Sequence, residues 1–349
     1  MTRNHVSSAE TVLQPEDGKH VESRWVTHPW AEAGGGRPRF AVHGGPYADW
    51  QQFVNLVQRA ESLGFDAYWK SDHPARSPGC WTTLAALAAV TRTIRLGTLV
   101  NCVVYRSPAE VARQAADVDR MSDGRVILGL GAGDDEQECR QLGISMPPAR
   151  ERVRLLGEMI QSVKGLWGEA YAPTTPAGGQ PLNFGPVQSP RIPLLIAGLG
   201  RTTLRYVAAY ADAVNFPPTS SAADVLAGVA VDLLAATDVE QKLGLLEKHC
   251  RDLARPPSSL VRSHMAPVLL AETPARIADK LNDLPERTQQ LLRFGIVGTP
   301  EQAVQTYESL RVRGIDYFIA MILGNDTETM DLLAERVRPV VEKHATTAT

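Results

Sequence analysis

Short apolar runs alternate with helical segments along most of this chain, and that alternation constrains its fold more than any other feature. Strand-like stretches fall at 39–44 (RFAVHG), 67–69 (AYW), 94–100 (IRLGTLV), 126–130 (VILGL), 192–197 (IPLLIA), 212–216 (DAVNF), 265–270 (MAPVLL) and 315–321 (IDYFIAM). Between the first two, Trp50, Phe53, Val54, Val57, Ala60 and Leu63 recur at helical spacing and Gly64 supplies a C-cap. Further helices are expected over 81–90, 108–121 with Pro108 in the first turn, 150–166, 201–210, 222–254, 300–313 and 328–341. Strands alternating with helices pair in parallel through crossover connections. Eight such units can close into a (β/α)8 barrel. An open doubly wound sheet satisfies the same alternation, so both remain open at this point.

The 349 residues suit one barrel domain, and 44% hydrophobic with 21% charged residues is an ordinary globular balance. The formal charge is −3 with no block of like charge, which gives no footprint for nucleic acid or a membrane surface. No apolar run approaches the ~18 residues of a membrane span, and no signal-peptide core is present. Cys80, Cys102, Cys139 and Cys250 are far apart and form no CxxC pair. That argues against zinc and disulfides and for a cytoplasmic setting. Residues 1–36 are polar and end in a glycine run; we expect a flexible extension, with Trp25 and Trp30 as anchors if it packs instead. Residues 37–345 then form a single domain, with insertions at about 168–191 and 271–298.

In such a barrel, function sits on the loops that follow the strands. After the first comes His43-Gly44-Gly45-Pro46, where glycine admits a ligand close to the backbone or simply makes a turn. After the second comes Ser71-Asp72-His73-Pro74, and His73 is a group able to move a proton near neutral pH. After the third, Arg106 could hold an anion or bridge to a helix carboxylate, and Cys102 reads as a small buried hydrophobe. After the fourth, Gly129, Gly131 and Gly133 alternate, but Asp134 stands where a dinucleotide fingerprint needs glycine. After the fifth, Gly198-Leu199-Gly200-Arg201 opens a helix, a pattern suited to phosphate. No HExxH, GxSxG or metal cluster is present, which leaves the chemistry to a bound cofactor.

Five ordered stretches resemble the bacterial luciferase-like family of flavin- and deazaflavin-dependent oxidoreductases. They are AESLGFDAYWKSDH (60–73), WTTLAALAAVTRTIRLGTLV (81–100), RSPAEVARQAADVDRMSDGRVILGLGAGDDEQE (106–138), PLLIAGLGRTTLRYVAAYADAVNF (193–216) and VGTPEQAV (297–304). The resemblance implies a TIM barrel, usually a homodimer, that binds FMN or the deazaflavin coenzyme F-420. It places the cofactor phosphate at Gly198, Leu199, Gly200 and Arg201. It places Leu99, Val100 and Asn101 behind the ring, with a cis peptide at Leu99–Val100. Gly131 and Gly133 would touch the cofactor through their main chain. His73 falls near the reactive edge, and Asp134 falls where some deazaflavin members carry a catalytic Glu. Asp is one methylene shorter, and the 1–36 extension and the 169–190 segment, expected on the substrate-facing wall, depart from the family. The implied activities are hydride transfer with F-420 or monooxygenation with reduced FMN on a small organic substrate. The latter would draw reduced flavin from a separate reductase. A flavin-binding protein without turnover is the alternative. Finally, residues 271–298 have mixed charge and spaced apolar residues, which predicts one or two short amphipathic helices closing over the site.

Overall fold

The computed structural model describes residues 26–44, 47, 49–169, 180–216 and 236–346. The chain opens with α1 (Pro29–Glu32), β1 (Arg39–Gly44), α2 (Trp50–Ser62), β2 (Ala67–Lys70), α3 (Cys80–Val90), β3 (Arg95–Thr98), β4 (Asn101–Cys102), α4 (Pro108–Met121) and β5 (Val126–Gly131). It continues with α5 (Glu136–Gln141), α6 (Ala149–Leu166), β6 (Leu194–Ala197), α7 (Arg201–Tyr210), β7 (Ala213–Phe216), α8 (Ala236–Asp252) and β8 (Val261–Leu270). The last elements are α9 (Pro274–Asn282), α10 (Glu286–Leu292), β9 (Ile296–Gly298), α11 (Pro300–Val312), β10 (Tyr317–Ile322), α12 (Thr327–Leu332) and α13 (Arg338–Thr346).

The strands run in parallel in the order β1-β2-β3-β5-β6-β7-β8, and β10 pairs with both β8 and β1. That double pairing closes the sheet and excludes the open, doubly wound alternative. Alternate side chains point inward and fill the interior: Ala41, Trp69, Leu99, Ile127, Leu195, Ala213, Val261, Tyr317 and Ile319 form one buried cluster. The opposite faces of the strands meet the amphipathic helices in a second, outer core. Among the described residues no helix is long and apolar enough to cross a membrane.

Several boundaries differ from the sequence reading, each for a tertiary reason. The stretch expected as one strand over 94–100 is interrupted by a cis peptide at Leu99–Val100, as the resemblance implied; β4 then pairs with β5 through Asn101 and Cys102. The strand expected to start at 265 starts at Val261, where the Arg262 N–H donates to Asp316 Oδ1 at 2.8 Å. Polar Arg262, Ser263 and His264 hid that start from a reading based on apolar runs. The final helix carries a π-turn over Leu333–Val337. Of the helix expected over 222–254, residues 222–235 lie outside the described residues, as do 1–25 of the extension, Gly45 and Pro46 of the first loop, and 170–179.

The extension does not stay free of the barrel up to residue 36. Trp30 is 1% exposed and joins the interior cluster. Its Nε1 donates to Asp66 Oδ2 at 3.0 Å, and its ring meets Tyr317 edge-on at 5.7 Å. Arg39 donates to the Trp30 carbonyl at 2.9 Å. His28 caps α1, and its Nε2 lies 2.9 Å from the Arg191 carbonyl. This stretch plugs the N-terminal end of the barrel, because the ring of strands leaves an apolar opening there.

The 168–191 segment is also corrected. It joins a helix to the start of β6, so its described part runs along the N-terminal end of the barrel and not along a substrate-facing wall. Val187 and Gln188 donate their backbone N–H groups to Asp119 Oδ2 at 2.9 and 3.1 Å, and Arg191 forms a paired contact with Asp212 at 2.6 and 3.1 Å. The 271–298 segment does form two short helices, α9 and α10. Lys280 pins α9 in place, bonding the Leu270 carbonyl at 2.8 Å and Asp326 at 2.6 Å.

Burial sets one pH dependence. His264 is buried on β8 and donates Nδ1–H to the Phe216 carbonyl at 2.8 Å; burial pulls its pKa down to about 4. The unfolded chain therefore binds this proton more tightly, and the stabilisation held above pH 6.5 is lost as pH falls towards 4. The expected loss is about 3 kcal/mol. In His264→Gln, urea unfolding between pH 7 and pH 4 should show a correspondingly smaller acid loss. An identical pH slope in both proteins would reject the assignment.

Candidate active site

The residues singled out from sequence gather at the C-terminal ends of β1 to β6. β2 delivers Asp72 and His73. Asp72 is 3% exposed, and its Oδ2 accepts from Arg106 and, at 2.7 Å, from Asn101 Nδ2. Arg106 thus pairs with a loop carboxylate of the chain itself and not with one on a helix. The second carboxylate oxygen of Asp72, Oδ1, and the amide oxygen of Asn101, Oδ1, are buried with no hydrogen-bond partner among the described residues. Buried acceptors without donors are uncommon and call for a ligand or water.

His73 stands beside them with 44% of its side chain exposed. Its Nδ1 lies 2.7 Å from Glu138 Oε2. Glu138 is fully buried; it also accepts from Tyr105 Oη at 3.1 Å and from the Ala75 N–H at 3.0 Å. Burial, with Cys102 and Glu138 adding, raises the Tyr105 pKa, so its hydroxyl stays a donor. Sequence reading missed Glu138 because it assigned no helix between the strand ending at 130 and the helix starting at 150. The usable signal was Asp135 three residues before Glu138: Asp135 caps α5 and accepts the Glu138 N–H at 2.8 Å.

His73, Asp135 and Glu138 bring ligand atoms within 4.8 Å of one another. Their atoms are already engaged, since Asp135 Oδ2 pairs with Arg76 at 2.5 Å and both Glu138 oxygens accept protein donors. The trio therefore acts as a staple between the β2 loop and α5. Asp134, the expected second catalytic group, is exposed at the mouth; the carboxylate that meets His73 is Glu138.

The glycines divide by role. A side chain at Gly131 would lie 2.5 Å from Val100 Cγ2, and one at Gly133 (φ 80°) would strike Cys102. Both are required by packing of the β3–β4 bulge on β5, a constraint separate from any cofactor contact. Cys102 is buried and its thiol is pushed up to about 12, as suits an inert filler. Gly198 has φ 122°, and Gly200 precedes α7, which no side chain caps. Among the described residues, the first-turn N–H groups and exposed Arg201 are thus free to meet an anion. Leu199 differs from its neighbours: it packs on the outer core. On β1, His43 faces inward with Nδ1 unpartnered among the described residues, and burial, with Lys70 and His73 nearby, lowers its pKa to about 3.

A closed parallel barrel with a half-exposed histidine, orphaned acceptors and an uncapped helix around its mouth defines a small-molecule enzyme class in which a cofactor supplies the reactivity. The luciferase-like monooxygenase family matches residues 35–289, and the chain belongs to that family. It is similar to an F420-dependent glucose-6-phosphate dehydrogenase from Amycolatopsis mediterranei, 34% identical over 34% of this chain and 38% of the relative. The matched stretch is thus little more than a third of that enzyme. Two solved structures share the fold. An F420-dependent secondary alcohol dehydrogenase in complex with an F420-acetone adduct has TM-score 0.68 and 18% identity over 87% of this chain and 99% of its own. A monooxygenase from Streptomyces bottropensis has TM-score 0.69 and 22% identity over 86% of this chain and 99% of its own.

Proposed function

We propose that this protein is an oxidoreductase that holds F420, or alternatively reduced FMN, across the barrel mouth and acts on a small organic substrate. The observation that carries the reading is the pair of buried, unpartnered acceptors, Asp72 Oδ1 and Asn101 Oδ1, next to a half-exposed His73. They fit a ring system bearing N–H and hydroxyl donors, and the main chain at Leu99, Val100, Gly131 and Gly133 would back it. Gly198, Gly200 and Arg201 would hold its phosphate. When bound, such a group supplies hydride transfer as F420 or reaction with dioxygen as reduced FMN. His73 takes or gives the proton at the reacting substrate, and Asp134 is a second proton-handling group at the rim. The names of the sequence relatives favour F420 over FMN. With FMN, a separate reductase would supply the reduced form. A cytoplasmic homodimer completes the reading; the free, buried cysteines agree with a reducing compartment.

Titration of the protein with F420 and with FMN, followed by visible absorbance, tests it. Arg201→Ala is expected to weaken binding of the preferred cofactor about tenfold or more, the loss of one charge-assisted contact. Unchanged affinity would remove the phosphate from this loop. Failure of the wild type to bind either cofactor would overturn the function.

A further inference from the structure

We propose that Glu138 is the positioning residue of His73: together with Tyr105 it holds the imidazole with its proton on Nδ1 and its Nε2 lone pair open to the barrel mouth. This deepens the reading of His73 as the proton-handling group and rests on it for its catalytic meaning. The geometry itself does not. A carboxylate only accepts, so the 2.7 Å contact with Glu138 Oε2 requires Nδ1 to be the donor. Neutral His73 is then the Nδ1–H tautomer, and Nε2 is left as the proton-accepting nitrogen of a side chain that is 44% exposed.

The surroundings of Glu138 support a directing role. The carboxylate has no exposure to water, and it receives three donors: the His73 imidazole, the Tyr105 hydroxyl and the Ala75 N–H. Tyr105 shares Oε2 with His73, so the same oxygen is held by a second donor. Two of the three donors, His73 and Ala75, lie in the loop after β2, so one carboxylate sets both the ring and the backbone that carries it. A purely structural staple already exists beside it, since Arg76 and Asp135 join the same loop to the same helix at 2.5 Å. Removing the Arg76–Asp135 pair therefore measures loop anchoring while Glu138 stays in place.

The test reads the tautomer directly. Protein labelled with ¹⁵N at the histidine rings gives long-range proton–nitrogen spectra that distinguish Nδ1–H from Nε2–H, and His73→Gln identifies the His73 signals. Wild type is expected to show His73 as Nδ1–H at neutral pH. In Glu138→Gln the amide can donate to Nδ1, so a substantial Nε2–H population should appear; Glu138→Asp, one methylene shorter, should partly restore the Nδ1–H form. Arg76→Ala breaks the neighbouring staple and should leave the tautomer unchanged. Tyr105→Phe should keep Nδ1–H while broadening the signal. An Nε2–H form in wild type, or an unchanged tautomer in Glu138→Gln, overturns the proposal. So does a shift of equal size in Arg76→Ala, which would assign the effect to loop anchoring. If wild type binds neither F420 nor FMN yet the tautomer follows Glu138, the proposed function falls and the positioning role stands.

Discussion

Replacing His73 with alanine is expected to lower turnover ~100-fold or more while cofactor affinity stays within about twofold. The reason lies in where the ring sits. It projects at the C-terminal end of β2 with nearly half its surface open, and its inner nitrogen is committed to buried Glu138. The side chain thus contributes little apolar packing, and its loss leaves the barrel intact. What disappears is a proton acceptor held at a fixed point. Steady-state turnover on whichever substrate the wild type accepts, together with absorbance titration of the cofactor, separates the two quantities. A His73→Ala enzyme of near-normal kcat would remove this residue from the chemistry. A collapse of cofactor affinity with kcat preserved would make it a binding residue instead.

The second large effect is on stability. Trp30→Ala is expected to destabilise the protein by about 3–5 kcal/mol, the usual range for truncating a fully buried large aromatic. Trp30 closes the N-terminal end of the barrel against Trp69 and Tyr317 and is 1% exposed. Its removal opens a cavity in the interior cluster, beneath the Arg39 guanidinium that lies 5.1 Å over the indole ring. It also takes one of the donors from Asp66, leaving that carboxylate to Tyr317 Oη at 2.6 Å and Arg39 at 3.4 Å. Urea unfolding measures the loss. Trp30→Phe should recover part of the packing and none of the hydrogen bond. A Trp30→Ala protein within about 1 kcal/mol of wild type would show that the segment merely rests on the barrel.

Much of the architecture was legible because both periodicities are local. β1 was read at its observed bounds, and α4 likewise, since Pro108 marks the first turn; the structure adds a capping box of Ser107 and Glu110 there. The short helices over 271–298 were legible for the same reason: their apolar spacing is helical. Strand starts built from polar residues, such as Val261–His264 at the head of β8, were not, because their burial depends on neighbours distant in sequence. Closure of the sheet was equally hidden, since strand alternation is identical in a barrel and an open sheet.

At the candidate site, sequence order determined which loops share the C-terminal end of the barrel. Strand-then-helix connectivity sends every such loop to one end, so His73 and the Gly198–Arg201 turn could be named without coordinates. The same rule puts helix-to-strand segments at the other end, which is why Val187, Gln188 and Arg191 meet Asp119 and Asp212. Composition could not choose between Asp134 and Glu138 as the partner of His73, because four residues of separation say nothing about direction until a helix turn fixes it. Only the tertiary structure decided that: Asp135 caps α5, the first turn swings Glu138 inward, and the buried carboxylate meets His73 across 65 residues of chain. It also decided that Trp30 is core and not tail, because an apolar opening at the end of a barrel exists only once all eight strands have closed around it.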